Sequence, residues 1–189
     1  MFRLSNDEWL ALREVARRSI SSAVLDKSIP DLPTYPATLT VSRGAFVTLY
    51  RAGKLRGCVG QVDSVGPLAE VVARSAINAA LHDPRFAPVA PEEVATLEIE
   101  ISVLSPLEPI APESIVAGRH GLMVVHKEFK AVLLPQVATE RGWSGQRLLE
   151  ETCEKAGLAP NAWRDPDTQV LAFTVDQFPE ERGRTTVHS

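Results

Sequence analysis

Hydrophobic positions first recur at helical spacing in SNDEWLALREVARRSISSAV, where Leu12, Val15, Ala16, Ser19, Ile20 and Ala23 share one stripe. Ser5 and Glu8 stand three residues apart at the start of that run, the spacing of a reciprocal N-terminal cap. The pattern predicts an amphipathic helix. It ends before IPDLPTYPATLT, whose Pro30, Pro33 and Pro36 predict an extended connector. The period then shortens to two in FVTLYRAGKLRGCVGQV, which reads as two strands turning about Arg51 to Lys54, with Gly53 in the turn. Alternation along the second strand puts Arg56 and Cys58 on one face.

Gly66 and Pro67 open a second helical run, with Leu68, Val71, Val72, Ser75, Ala76 and Ala79 as a stripe of small and apolar residues. HDPRFAPVAPEEV breaks it. In TLEIEISVLSPLEPI the alternation is sharpest: Leu97, Ile99, Ile101 and Val103 take one face of a strand, and Glu98, Glu100 and Ser102 the other. GLMVVHKEFKAVLLPQ reads as a hairpin about Lys127 to Phe129, GWSGQRLLEETCEKAGL as a helix stopped by Gly157, and QVLAFTV as the final strand. Helices and antiparallel hairpins alternate without regular strand–helix–strand spacing, and no internal repeat is present. The order predicts a two-layer α+β fold rather than a doubly wound one.

A chain of 189 residues buries a core without cross-links. Its two cysteines, Cys58 and Cys153, have neither disulfide nor zinc-finger spacing, which suits a reducing compartment. The N-terminal run MFRLSNDEWLALREVARRS carries charges throughout, and no later run reaches membrane-spanning length. The expectation is a cytoplasmic protein with no membrane partner. A net charge of -4, with no aromatic-basic stripe, argues against nucleic-acid binding.

No GxxxxGKS/T or GxGxxG loop is present to cradle phosphate, and neither GxSxG nor HExxH occurs. The histidines at 82, 120, 126 and 188 are scattered. One constellation remains. In LRGCVG, Gly57 and Gly60 open the backbone around Cys58 to close approach; His120 lies between Gly118 and Gly121, and Glu98 and Glu100 share the polar strand face. A thiol becomes a nucleophile beside a cation or base, which Arg56 or His120 could supply, with a carboxylate to orient the imidazole. Each residue also has a plainer reading: Cys58 a small core filler, the glutamates a solvated face, and His120 a turn residue bonded to backbone. DPRF reads either as a helix-ending turn with Arg85 paired to a carboxylate, or as an arginine that holds an anionic substrate. Cys153, on an amphipathic helix near Leu149, reads as a core filler.

LRGCVG, NAALHDPRFAPV, LEIEISVLSP, GRHGLMV, LLPQVATERGW and CEKAGLAPNAW, in that order, resemble the AMMECR family across nearly the whole chain. Val59 stands where the family's LRGC signature more often continues with isoleucine. The resemblance implies a single AMMECR-type domain over residues 1–189, an α+β fold of two unequal lobes with a groove between them. It also implies company, because prokaryotic members are often encoded with a MEMO-like protein and a radical-SAM protein. It brings no particular reaction, cofactor or metal. Its motifs fall here on Arg56, Gly57, Cys58, Gly60, Asp83, Arg85, Glu98, Glu100, Arg119, His120 and Gln136.

Two functions follow as expectations. In the first, the chain is an enzyme or enzyme component: Cys58 is the nucleophile, His120 the acid or base and Glu100 its orienting carboxylate. Arg56, Gly57, Gly60, Asp83, Arg85, Glu98, Arg119 and Gln136 would then bind substrate, with Arg56 or Arg119 taking an anionic group. A metal held by Cys, His and carboxylate is a variant of this reading. In the second, the chain is a non-catalytic partner of the MEMO-like and radical-SAM proteins, and LRGCVG is a structural hairpin.

Overall fold

The computed structural model describes residues 4–28, 31–63 and 66–178. Helix α1 (Asn6–Ser21) starts at Ser5 with the expected reciprocal cap: Ser5 Oγ accepts from the Glu8 amide at 3.3 Å, and Glu8 Oε2 accepts from the Ser5 amide at 2.6 Å. It buries Leu12, Val15, Ala16, Ser19 and Ile20. The helix then widens into a π turn, Ser22–Asp26, and stops at Lys27 in the left-handed conformation. Beyond it, the described part of the connector has no helix or strand before a 3-10 turn, Ala37–Thr40. That turn sets Leu39 fully inside the core, so the segment is anchored at its end rather than extended throughout.

Strands β1 (Ala45–Arg51) and β2 (Lys54–Gln61) form the expected hairpin. Ala52 and Gly53 both have positive φ, which gives the turn the twist that two-residue hairpins require. The pairing is not uniform. Tyr50 faces Leu55 but Leu49 faces Gly57, so Arg56 is an extra residue in a bulge and every later pair is shifted by one.

Helix α2 (Leu68–Leu81) follows Pro67, which lies just outside it as the N-cap rather than as its first residue. Its small-residue stripe packs against β1 and β2, and α1 packs on α2. Strand β3 (Glu98–Leu104) pairs antiparallel with β1. The first sheet has the order β2-β1-β3-β8, where β8 is Val175–Phe178. Except for Leu104 at the end of β3 and Val175 at the start of β8, these elements belong to one compact unit, bounded by Val103 and Asp176.

The second unit, Leu104–Val175, contains β4 (Glu108–Pro109), β5 (Gly121–His126), β6 (Phe129–Leu133), α3 (Pro135–Arg141), α4 (Gly145–Lys155) and β7 (Gln169–Phe173). Its sheet has the order β4-β7-β5-β6, antiparallel throughout. Helix α4 lies on β5 and β6 and contributes Leu148, Leu149 and Cys153 to a core shared with Leu122 and Val124. Gly157, at φ +78°, follows the end of α4 as expected. Together the two units make an α+β fold.

The strand assignments change in part. QVLAFTV is not one strand: β7 ends at Phe173, and β8, in the first unit's sheet, begins at Val175. Hydrophobicity runs on through the break because both sheets bury one face, so periodicity shows no boundary there. Strand β4 and helix α3 were not predicted, being too short to show a period. His188 lies outside the described residues. No helix among the described residues is long and apolar enough to cross a membrane.

Candidate functional site

The antiparallel register places Thr48 opposite Cys58 on one side and opposite Glu100 on the other. Residues directly opposite in a sheet point to the same face, so Cys58, Thr48 and Glu100 form one row across three strands. Thr48 Oγ1 donates to Cys58 Sγ at 3.3 Å. Adjacent rows hold Phe46 with Gly60 and Ser102, and Tyr50 with Glu98. Gln177 Nε2, from β8, donates to Ser102 Oγ at 3.4 Å. This face is covered more than a solvated one: Thr48 and Ser102 are buried, and Cys58, Glu98 and Glu100 are half-buried.

The main chain at Cys58 is held from outside the sheet. Its amide donates to Asp83 Oδ2 at 2.8 Å, and its carbonyl accepts from an Arg85 guanidinium nitrogen at 3.2 Å. Asp83 and Arg85 are paired through bonds of 3.0 and 2.7 Å, and the Arg85 amide adds one of 3.1 Å. DPRF is thus the helix-ending turn of the plainer reading, closed by Phe86 N–H to Asp83 C=O at 3.1 Å. The Arg85 side chain, more than the bond from the Cys58 amide, holds the buried Asp83 carboxyl well below the usual carboxylate range.

Arg56 is committed in the same way. Its guanidinium grips Glu93 with bonds of 2.9 and 2.8 Å and also donates to the carbonyls of Ala87 and Pro88. Glu93 additionally accepts from the Ala90 amide and from Arg51. With Arg56 as the main cause, its carboxyl drops from an ordinary 4.5 to about 2. The two glycines admit close neighbours. A Cβ at Gly57 would lie 2.1 Å from the Ala79 carbonyl oxygen, and one at Gly60 would lie 2.4 Å from both the Phe46 ring and the Ala45 carbonyl oxygen.

The remaining expected residues lie in the second unit. His120 closes a turn in which its amide donates to the Val116 carbonyl at 3.0 Å, and its Nδ1 accepts from the Val116 amide at 3.1 Å. A ring nitrogen that accepts carries no proton, so the proton of the neutral imidazole resides on Nε2. Partial burial, and secondarily the neighbouring Arg119, push the His120 pKa below its ordinary value. The histidine is neutral at pH 7. Arg119 is exposed, and Gln136, in the first turn of α3, has a buried Oε1 with no hydrogen-bond partner.

The model of the AMMECR1 family matches residues 13–178. The chain belongs to that family. It is 44% identical to a protein of Thermococcus gammatolerans, over 99% of this chain and 97% of that one. A protein of Methanothermobacter thermautotrophicus is 42% identical, over 94% of this chain and 97% of the other. Among solved structures, the crystal structure of an uncharacterised protein from Pyrococcus horikoshii matches with a TM-score of 0.81 at 41% identity, covering 93% of each chain.

Within this AMMECR1 domain the structure brings Cys58, Glu100, Asp83, Arg85, Arg56, Gly57 and Gly60 into the first unit, and places His120, Arg119 and Gln136 in the second. Sequence reasoning missed Thr48 and Glu93. Counting back from the turn without a bulge puts Val47 opposite Cys58; the bulge at Arg56 replaces it with Thr48. Glu93 had a local signal, since it stands three residues past Ala90 at the head of the 3-10 turn Pro91–Thr96. Among the described residues, no group of three or more His, Cys, Asp or Glu side chains is arranged to hold a metal ion.

Proposed function

We propose that this AMMECR1 protein is an enzyme, or an enzyme component, whose reacting group is the Cys58 thiol. The observation that carries the reading is the contrast between main chain and side chain. The Cys58 backbone is fixed by charged groups on the strand edge, while its sulfur, on a half-buried residue of a polar sheet face, receives the Thr48 hydroxyl. Cys153 is the filler case: it is fully buried among apolar side chains, no ion pair is aimed at its main chain, and the bond its sulfur receives comes from the Trp163 main chain. A donor to the sulfur stabilises the charge that a thiolate carries into attack. Glu100 stands beyond Thr48 in the same row, where it can accept a proton or orient a substrate donor. Arg56 is already paired with Glu93, which takes it out of the anionic-group role the sequence suggested.

The substrate is a small molecule or a protein carrying an electrophilic centre, and the chain acts in a pathway with MEMO-like and radical-SAM proteins, as the family resemblance implies. The test replaces the chromosomal copy with Cys58→Ser and pulls down the tagged protein. The enzyme reading expects the phenotype of a deletion, with normal protein level and retained partners. Parental growth and metabolite content with partners still bound would instead make LRGCVG a structural hairpin in a binding module.

A further inference from the structure

An edge strand turns every second amide and carbonyl away from its sheet, where they stay open to water or to another strand. On β2 the two groups of Cys58 that point outward are both taken: the amide by Asp83 and the carbonyl by Arg85. Because Asp83 and Arg85 are themselves doubly bonded, the four groups close into a ring on the strand edge. We infer that Asp83 and Arg85 are positioning residues, which lock the Cys58 main chain and so fix the direction in which its thiol leaves the sheet.

This inference rests on the reading of Cys58 as the reacting thiol, and it moves both residues out of the substrate-binding role the sequence suggested. Three features support it. The Asp83 side chain is 2% exposed and accepts from two main-chain amides and one guanidinium, which leaves it no free face for a ligand. The element that delivers Asp83 is fixed against the same strand, since the Ala79 carbonyl in the last turn of α2 rests directly on Gly57. The chain leaving the clamp is fixed too, because Arg56 holds the carbonyls of Ala87 and Pro88 and the carboxylate of Glu93. The segment from Ala79 to Glu93 therefore runs along the edge of β2 and is tied to it at Arg56, Gly57 and Cys58. A loop that only ended a helix would not need its ion pair aimed at both main-chain groups of one residue.

The test measures amide hydrogen exchange at Cys58 in the full chain, with Val59, paired to Val47 within the sheet, as the local control. In Arg85→Gln, Cys58 exchanges about tenfold faster with Val59 unchanged, and Arg85→Lys, which keeps the charge and one donor, recovers about half of that effect on a logarithmic scale. A second reading addresses positioning directly. Thr48→Val slows iodoacetamide alkylation of Cys58 about fivefold in the parent but less than about twofold in Arg85→Gln, because an unlocked thiol no longer keeps its place beside residue 48. If Arg85→Gln fails to fold, Arg85→Lys carries both measurements, with about a threefold change in exchange. Exchange at Cys58 within about twofold of the parent, or equal Thr48→Val effects in both backgrounds, overturns the inference. The two levels separate cleanly: if parent Cys58 alkylates no faster than Cys153, the thiol reading falls, while faster exchange in Arg85→Gln still establishes the clamp.

Discussion

The two cysteines differ in burial and in the polarity of what surrounds them. Cys153 is fully buried on α4 among Leu148, Leu149, Leu122 and Val124, and burial pushes its thiol above the ordinary value. Its position follows from helical periodicity and apolar packing, and the Trp163 main chain bonds its sulfur. Cys58 is half-buried on a polar sheet face, and its place is set by charged side chains brought from Asp83 and Arg85, with Arg56 and Glu93 fastening the same segment. The difference teaches where this fold concentrates its polar interactions. An ion pair that buries its carboxylate adds little stability over apolar packing, so two of them, on Asp83 and Glu93, around one short stretch favour a role in holding geometry.

The contrast can be broken most severely at Gly57. Gly57→Ala drives a methyl group into the Ala79 carbonyl and is expected to lower unfolding free energy by about 3 kcal/mol, measured by urea denaturation, because the obstacle is backbone. Next, the cysteines should respond oppositely to the same change. Cys153→Ser places a hydroxyl in an apolar site and costs about 2 kcal/mol, whereas Cys58→Ser changes stability by about 0.5 kcal/mol or less and acts on function instead. Equal costs would erase the distinction.

Acid sharpens it further. The Glu93 carboxyl is lowered in the folded chain, chiefly by Arg56, so the folded state binds its proton less readily than the unfolded state does. The stability it contributes is complete above about pH 4.5 and is lost as pH falls toward about 2. Asp83, lowered by Arg85, adds a loss of the same sign. Denaturation followed across that window should show a shallower decline in Glu93→Gln than in the parent, while Cys153→Ser leaves the slope unchanged. The smallest effect belongs to the hairpin turn that sets the register at Cys58. Ala52 has φ +50°, a conformation that costs a side chain about 1 kcal/mol, so Ala52→Gly should stabilise the chain by several tenths of a kcal/mol in the same urea assay.

The elements with a clear period are legible in the amino-acid sequence: the Ser5–Glu8 cap, the α2 stripe, the alternation of β3 and the hairpin around Gly53. The candidate site is legible in residue types and not in partners. LRGCVG and DPRF both stand out, but Asp83 reaches Cys58 across 25 positions of sequence, and no local rule announces such a bond. Arg56 shows the harder failure. Alternation places it on the Cys58 face as an activating cation, yet it occupies a bulge and is neutralised by a glutamate 37 residues on. A bulge leaves no mark in hydrophobic alternation when the residues around it are glycine and arginine.

The most direct test of a positioned, reacting Cys58 is competitive alkylation of the native protein with iodoacetamide at pH 7, read residue by residue by mass spectrometry. The account predicts that Cys58 is modified at least about tenfold faster than Cys153, and that Thr48→Val slows Cys58 while leaving Cys153 unmodified in the folded chain. Modification of the two cysteines at equal rates, or of Cys58 only when the protein unfolds, would contradict it.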